Sequence, residues 1–310
     1  MITLDQLNAS DRAAFVTALG EIFEHGSWVA ERAHAARPFA TVEALHDAMM
    51  RAVGGAPRAE QVAFLRGHPE LGGKVARAGA MTVDSLAEQV GLGLDRLSNE
   101  EFVRFERANA AYARKFGFPF IVGVRRHTRD SILARFERRT ENDLETELAA
   151  ALAEIGYITR LRLVAKVDGP GKPKTEGELS THVLDTTRGR PAAGMRIDLF
   201  EVGASARSAL TSTMTNADGR TGAPLISGGP LRIGTYQLQF QVGAYFAAAS
   251  GPHPRIKSGA GSGARGQGPS VSQGAFLDIV PISFSVAEPE SHYHVPLLVT
   301  PWSYTTYRGG

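Results

Sequence analysis

Residues 157–186, YITRLRLVAKVDGPGKPKTEGELSTHVLDT, contain the change of texture that decides the fold. Up to about residue 166, apolar side chains return every third or fourth position, the spacing of one helical face. Phe102, Phe105, Asn109, Tyr112 and Phe116 mark such a face, and 41–53 and 141–163 are spaced alike. Pro38, Pro57, Pro69 and Pro119 fall at breaks between these runs. The pattern predicts an all-α domain over 1–166 with about six to eight helices. The stretch 168–178, DGPGKPKTEGE, is polar and rich in Gly, Pro and Lys, so 167–178 reads as a linker. Beyond it the period falls to two. Met195, Ile197 and Leu199 alternate with Arg196 and Asp198, and Tyr236, Leu238, Phe240 and Val242 alternate with Gln237, Gln239 and Gln241. Asp218-Gly219 is a turn signal. Short strands at roughly regular spacing predict a β-sandwich over 179–310. Residues 250–274, with seven glycines and almost no large apolar side chain, interrupt it and read as a flexible surface insertion.

A chain of 310 residues accommodates two domains, each able to bury its own core. The hydrophobic share of 43% and charged share of 21% are those of a globular protein. Residues 1–166 carry 22 basic and 22 acidic side chains and the remainder 12 and 10, so neither half attracts nucleic acid or a membrane by net charge. Cysteine is absent, which removes disulfides, thiolate nucleophiles and cysteine metal sites. The opening MITLDQLNASDRAAF lacks the basic and apolar regions of a secretory signal, and no run approaches the roughly 18 apolar residues of a membrane span. The closing YRGG is not a peroxisomal address. Cytoplasm is the expected location, a compartment that a cysteine-free chain fits.

Three clusters in the first half carry candidate chemistry. Pro69 disfavours helical geometry at His68 and sets its imidazole at a helix junction, unless the pair is a simple turn. Ser85, Glu88 and Gln89 share one helical face, which would also serve as a capping box. Lys115-Phe116-Gly117-Phe118-Pro119-Phe120-Ile121 supplies either core packing or a dry wall, and Arg162 either a solvated or a ligand-facing cation. In the second half the marks are LSTHVLDT over 179–186, NADGRTGAPL over 216–225, HYHVPLL over 292–298 and YTTYRG over 304–309. His292 and His294 point to one face of a strand, and with His182 they offer a three-histidine zinc site as one alternative.

Six ordered blocks of the first half, among them FEHGSWVAER, FLRGHPELGGK, SLAEQVGL, NAAYARKFGFPFIVGVR and ALAEIGYITRLRL, resemble the 2-oxo-4-hydroxy-4-carboxy-5-ureidoimidazoline (OHCU) decarboxylases. The resemblance implies His68 and Glu88 as the catalytic pair. It implies Pro69, Ser85, Gln89 and Arg162 as substrate contacts and Phe120 and Ile121 as pocket lining. The four marks of the second half resemble the 5-hydroxyisourate hydrolases of the transthyretin fold. That resemblance implies His182, Arg220, His294 and Tyr307 as catalytic, with Arg308 binding substrate. The hydrolase family typically ends Tyr-Arg-Gly-Ser, whereas this chain has Gly310 in the last place, a departure expected to weaken rather than abolish activity.

Together the two resemblances imply a multidomain α and β chain that opens the ring of 5-hydroxyisourate and then decarboxylates the product to (S)-allantoin. The partners implied are these small molecules, with no nucleic acid and no membrane. No cofactor or metal is implied, because the conjugated ring can delocalise the carbanion left by CO2. Family members imply a homo-oligomer: a tetramer through the sandwich, with dimer contacts through the helical domain. The competing readings are a carrier like transthyretin, a zinc hydrolase, and an active decarboxylase joined to a sandwich that only binds or assembles.

Overall fold

The computed structural model describes residues 1–71, 99–204, 206–249 and 276–309. The chain divides into two compact units, Met1–Thr175 and Glu176–Gly310. The glycine-rich stretch 250–274, Ser85, Glu88, Gln89 and Gly310 lie outside the described residues.

The first unit is helical, as the spacing predicts. Among the described residues its α-helices are α1 (Leu4–Ala9), α2 (Arg12–Leu19), α3 (Ser27–Ala33), α4 (Val42–Gly54), α5 (Arg58–Arg66), α6 (Asn99–Phe116), α7 (Arg129–Thr140) and α8 (Leu144–Lys166). Their starts carry the expected oxygens. Thr3 forms a capping box with Gln6, and Asp11, Thr41, Thr128 and Asp143 each accept a backbone N–H of the first turn. Phe105, Asn109, Tyr112 and Phe116 of α6 are buried, and Tyr112 packs among Phe116, Phe118, Phe120 and Phe136. The unit is not wholly α: Ile2–Thr3 (β1) pairs in parallel with Val167–Asp168 (β2). This corrects the linker at its start. Val167 is buried, the carbonyls of Pro170 and Gly171 accept the N–H groups of Val42 and Glu43 at 2.9 and 3.0 Å, and Lys172 pairs with Asp168 at 2.8 Å. Glycine makes this docking possible, since a Cβ on Gly171 would lie 2.6 Å from Thr41.

Helix α8 buries carboxylates beside apolar groups. Glu147, Leu148, Ala151, Glu154, Ile155, Thr159 and Leu163 are buried along it. Glu147 Oε1 accepts Arg139 Nε and Nη2 at 2.9 and 2.6 Å and also the Tyr112 hydroxyl, while Asn142 donates to Oε2 at 2.8 Å. Glu154 accepts Arg135 at 2.8 Å and the Gly123 N–H at 2.8 Å. The Arg139 guanidinium also donates to the Ile121 carbonyl at 2.7 Å and stacks over Phe120 at 4.5 Å. Two carboxylates on one helix thus tether the 117–126 loop.

The second unit is a β-sandwich. Strands β6 (Arg196–Val202), β7 (Arg207–Met214), β9 (Gly234–Gln241) and β10 (Ile279–Val286) form an antiparallel sheet in the order β10-β9-β6-β7. The opposing layer comprises β3 (Gly177–Ser180), β8 (Ile226–Gly229) and β11 (His292–His294), then β4 (Val183–Asp185), β5 (Arg190–Pro191), β12 (Leu297–Val299) and β13 (Tyr304–Thr306). Strand β11 runs parallel to β3, and β12 runs parallel to β4. Both chains break at the same level, 181–182 and 295–296. Leu179, Val183, Leu297 and Val299 share one core with Ile197, Leu199, Leu238, Phe240, Val280 and Ile282.

Two details depart from simple alternation. Asp198 is buried because Arg196 and Gln241 hold its carboxylate, each at 3.0 Å. Val242 does not extend β9; it opens helix α9 (Val242–Ala249), which buries Val242, Tyr245 and Phe246 and donates the Tyr245 hydroxyl to Asp185 at 3.0 Å.

Glu147→Ala leaves Arg139 charged, buried and without its carboxylate, and is expected to destabilise the helical unit by about 3–5 kcal/mol. Urea unfolding followed at 222 nm measures this, and a change below about 1 kcal/mol would contradict it. A pH effect follows from two buried imidazoles. Burial and Arg160 lower His46 to about 4; burial and a cluster led by Arg135 lower His127 to about 3. Both folded values lie below the unfolded value near 6.5, so the unfolded chain binds more protons. Their contribution is complete above about pH 6.5 and is lost as pH falls toward 4 and then 3. Unfolding free energies from pH 7 down to 4.5 should therefore fall less steeply for His127→Asn than for the parent chain.

Candidate active sites

In the helical unit the last turn of α5 sets the histidine. The His68 amide donates to Leu65 O at 3.1 Å, and its Nδ1 lies 3.1 Å from Phe64 O. A carbonyl only accepts, so Nδ1 carries the hydrogen and Nε2 keeps its lone pair. The Phe64 ring meets the imidazole edge-on at 4.9 Å. His68 keeps part of its surface open to a pocket, yet burial lowers its pKa to about 4. It is therefore neutral at physiological pH.

The pocket is lined by Glu24, His68, Pro69, Leu71, Phe120, Ile121, Val122, Val124, Ile155, Thr159 and Arg162, among others. The structure thus brings together His68, Pro69, Phe120, Ile121 and Arg162, all expected from the sequence. Ser85, Glu88 and Gln89 are outside the described residues. Phe120 and Ile121 reach the wall through the loop tethered by Glu147 and Glu154, and Arg162 through the pocket face of α8. Sequence reasoning missed Glu24, whose Oε2 lies 3.3 Å from Arg162 Nη1 with both side chains nearly fully buried. The available signal was a carboxylate directly after the apolar pair Ile22-Phe23, at the head of a block quoted for the resemblance. Thr159, another lining residue, lies 3.0 Å from His46 Nε2.

In the sandwich the site forms where both strands of the second layer break. Val295 N and Leu297 N donate to the carbonyls of Ser180 and His182 at 3.0 and 2.8 Å, so the two breaks stay in register. Asn216 Oδ1 accepts the amides of Asp218 and Arg220, each at 3.0 Å, closing a tight turn. Gly219 has φ of 71°, and a Cβ there would lie 2.3 Å from Val183 O, so the turn needs glycine. The turn places Arg220 in a bridge with His182. His294 bridges Gly309, whose amide donates to His294 O at 2.8 Å.

Ser180 Oγ lies 2.7 Å from His292 Nε2 and 2.9 Å from His294 Nδ1. Burial, then the charges of Arg220, His292 and His182, lower the His294 pKa. Arg220, His292, His294, Ser180 and Glu178 line one open pocket. The His182 Nε2 is buried and makes no hydrogen bond. The structure therefore joins His182, Arg220 and His294 in one neighbourhood. Tyr307 is 58% exposed, and Arg308 lies over the Tyr293 ring at 4.5 Å and 3.4 Å from Glu288. Among the described residues no group of three His, Asp or Glu side chains converges as a metal ion requires, so the His182, His292 and His294 zinc alternative has no ligand cluster here. No helix among the described residues is long and apolar enough to cross a membrane.

Comparison with known proteins follows the same division. Residues 8–164 match the family described as OHCU decarboxylase, and residues 179–309 match the HIUase/Transthyretin family. A 2-oxo-4-hydroxy-4-carboxy-5-ureidoimidazoline decarboxylase of Haloferax volcanii is 44% identical over 165 residues, covering 53% of this chain and 96% of its own. A 5-hydroxyisourate hydrolase of Deinococcus radiodurans is 47% identical over 135 residues, covering 42% of this chain and 94% of its own. A solved (S)-allantoin synthase is 32% identical, with 100% of both chains covered and a TM-score of 0.49. The chain belongs to the OHCU decarboxylase family through residues 8–164 and to the HIUase/transthyretin family through residues 179–309, with both domains fused in one polypeptide.

Proposed function

We propose that the chain catalyses two consecutive steps of urate breakdown: hydrolysis of 5-hydroxyisourate by the sandwich, then stereospecific decarboxylation of the product to (S)-allantoin by the helical unit. The observation that carries the reading is the presence, in each unit, of an imidazole with Nδ1 engaged beside an arginine at a pocket. His68 accompanies Arg162, and His294 accompanies Arg220.

In the sandwich, water attacks a lactam carbonyl, the C–N bond opens, and the nitrogen gains the proton that water gives up. A neutral histidine is suited to move that proton, and His182 and His294 are the proposed pair. Arg220 stabilises the oxyanion, Tyr307 completes the proposed catalytic set, and Arg308 binds substrate. In the helical unit, Arg162 holds an anionic group of the substrate against the apolar wall of Phe120 and Ile121. Carbon dioxide leaves, the ring system takes up the electron pair, and a proton replaces the carboxyl on one face. His68 and Glu88 are proposed to handle that proton, with Pro69, Ser85 and Gln89 completing the contacts. The neutral resting state of His68 lets Nε2 accept a proton before any is returned. The residues in view supply acid–base and charge-stabilising groups, which is what both reactions require.

We further propose a homo-oligomer located in the cytoplasm. Strands β10 and β13 stand at sheet edges, where backbone groups invite pairing with another copy. Tyr304 and Tyr307 are exposed along the terminal segment. The sandwich is the proposed tetramer interface, and the helical unit the proposed dimer interface.

Fresh 5-hydroxyisourate added to the purified chain, followed by absorbance and circular dichroism, tests both steps. The reading requires accelerated loss of 5-hydroxyisourate and a dichroic signal from one allantoin enantiomer; optically inactive product formed at the buffer rate would exclude it. His68→Ala should leave the first step intact and slow the second by about 10²–10⁴-fold. His182→Ala and His294→Ala should do the reverse. A carrier would bind without turnover, and a scaffold would leave only the second step. Loss of either activity to a chelator, restored by zinc, would favour the metal alternative.

A further inference from the structure

We propose that Glu24 is a positioning residue of the helical site, its buried carboxylate fixing the guanidinium of Arg162 at the pocket wall. The proposal rests on the decarboxylase reading of that unit. Glu24 Oε2 is 3.3 Å from Arg162 Nη1, and only 2% and 8% of the two side chains are exposed. Both line the pocket that holds His68, Phe120 and Ile121.

The backbone around Glu24 is anchored on both sides. Ile22 and Phe23 are buried in the helical core. The Gly26 amide donates to Phe23 O at 3.0 Å, and a Cβ on Gly26 would lie 2.8 Å from Phe23 Cβ and 3.0 Å from the Phe64 ring. His25 takes a left-handed φ of 51°, a conformation that non-glycine residues enter sparingly, and it turns the chain sharply after Glu24. The Phe64 ring links this turn to the histidine, lying 6.3 Å from Phe23 and 4.9 Å from His68.

A buried ion pair adds little stability over an apolar pair of similar volume, so packing does not account for one at a pocket wall. Orientation does. A carboxylate at one edge of a guanidinium fixes the plane of its donors, and that plane determines how a small anion is gripped. The charges around His68 reflect the same geometry: Glu24 raises its proton affinity and Arg162 lowers it. Both charges therefore lie near enough to act on the imidazole, in opposite senses.

The test uses the full chain, with the carboxylated ureidoimidazoline generated in place from 5-hydroxyisourate by an excess of a separate hydrolase, so that decarboxylation limits. Glu24→Gln should lower kcat about tenfold or more while KM stays within about threefold, the signature of lost orientation. Glu24→Asp, which keeps the charge on a shorter stem, should recover part of the loss. Glu24→Leu/Arg162→Met guards against misfolding of the single variant; it should melt like the parent and fail to turn over. A parental kcat in Glu24→Gln, or parental turnover in the apolar double variant, would overturn the proposal. If the parent chain itself fails to decarboxylate, the functional reading falls; if the parent is active and Glu24→Gln is unaffected, only the role of Glu24 falls.

Discussion

An imidazole held through Nδ1 is the constraint on which both sites depend. His68 gives its Nδ1 hydrogen to the Phe64 carbonyl, and His294 rests its Nδ1 on the Ser180 hydroxyl. Engaging one nitrogen fixes the ring plane and commits the other nitrogen to the pocket. Burial then lowers the proton affinity of both rings, so desolvation favours the neutral imidazole while the hydrogen bond orients it. A surface histidine would have neither property.

The two units meet this constraint by unrelated means. The helical unit uses the last turn of a helix: residues 64 and 68 are one turn apart, so the backbone acceptor comes with the helix itself. The sandwich uses a break in two adjacent parallel strands. Register carries Ser180 alongside His294, since each is the last residue of its strand and the two are paired. The Asn216–Arg220 turn then closes on the same level and brings Arg220 beside His182. In both cases the proposed catalytic side chain sits where regular structure ends, while the residues that orient it belong to regular structure.

This explains what was legible in the sequence. Periodicity located helices over 41–53, 101–116 and 141–163, because burial of one face requires a repeat near 3.6. It also located the strands around 197 and 238, because burial of one sheet face requires a repeat of two. His68, Arg162, Phe120, His182, Arg220 and His294 stood out only through ordered motifs, since each alone has an ordinary structural reading. Four features escaped. The docking of 167–171 depends on glycines whose missing Cβ atoms let Leu4 and Thr41 approach, which composition reads as flexibility. Helix α9 begins on Val242, the next expected inward position of the strand before it, so the alternation ran on unbroken. Asp198 reads as outward-facing until Gln241, on another strand, is seen to hold it. Glu24 is separated from Arg162 by most of a domain, and no local pattern announces a pair so distant.

Three buried carboxylates of the helical unit clarify one another. Glu147 meets Arg139 and Glu154 meets Arg135, and each also secures the 117–126 loop, through Ile121 O in one case and Gly123 N in the other. These pairs act on backbone, and their consequence is a fixed wall. Glu24 and Arg162 are equally buried but face the pocket with His68. The desolvation penalty is common to all three, and none is repaid by attraction alone. What differs is the object being oriented: a loop in two cases, and in the third a guanidinium at the pocket wall. The same ion-pair chemistry thus serves the frame toward one end of α8 and, in the proposed role of Glu24, the site at the other, and the direction each arginine faces separates the two.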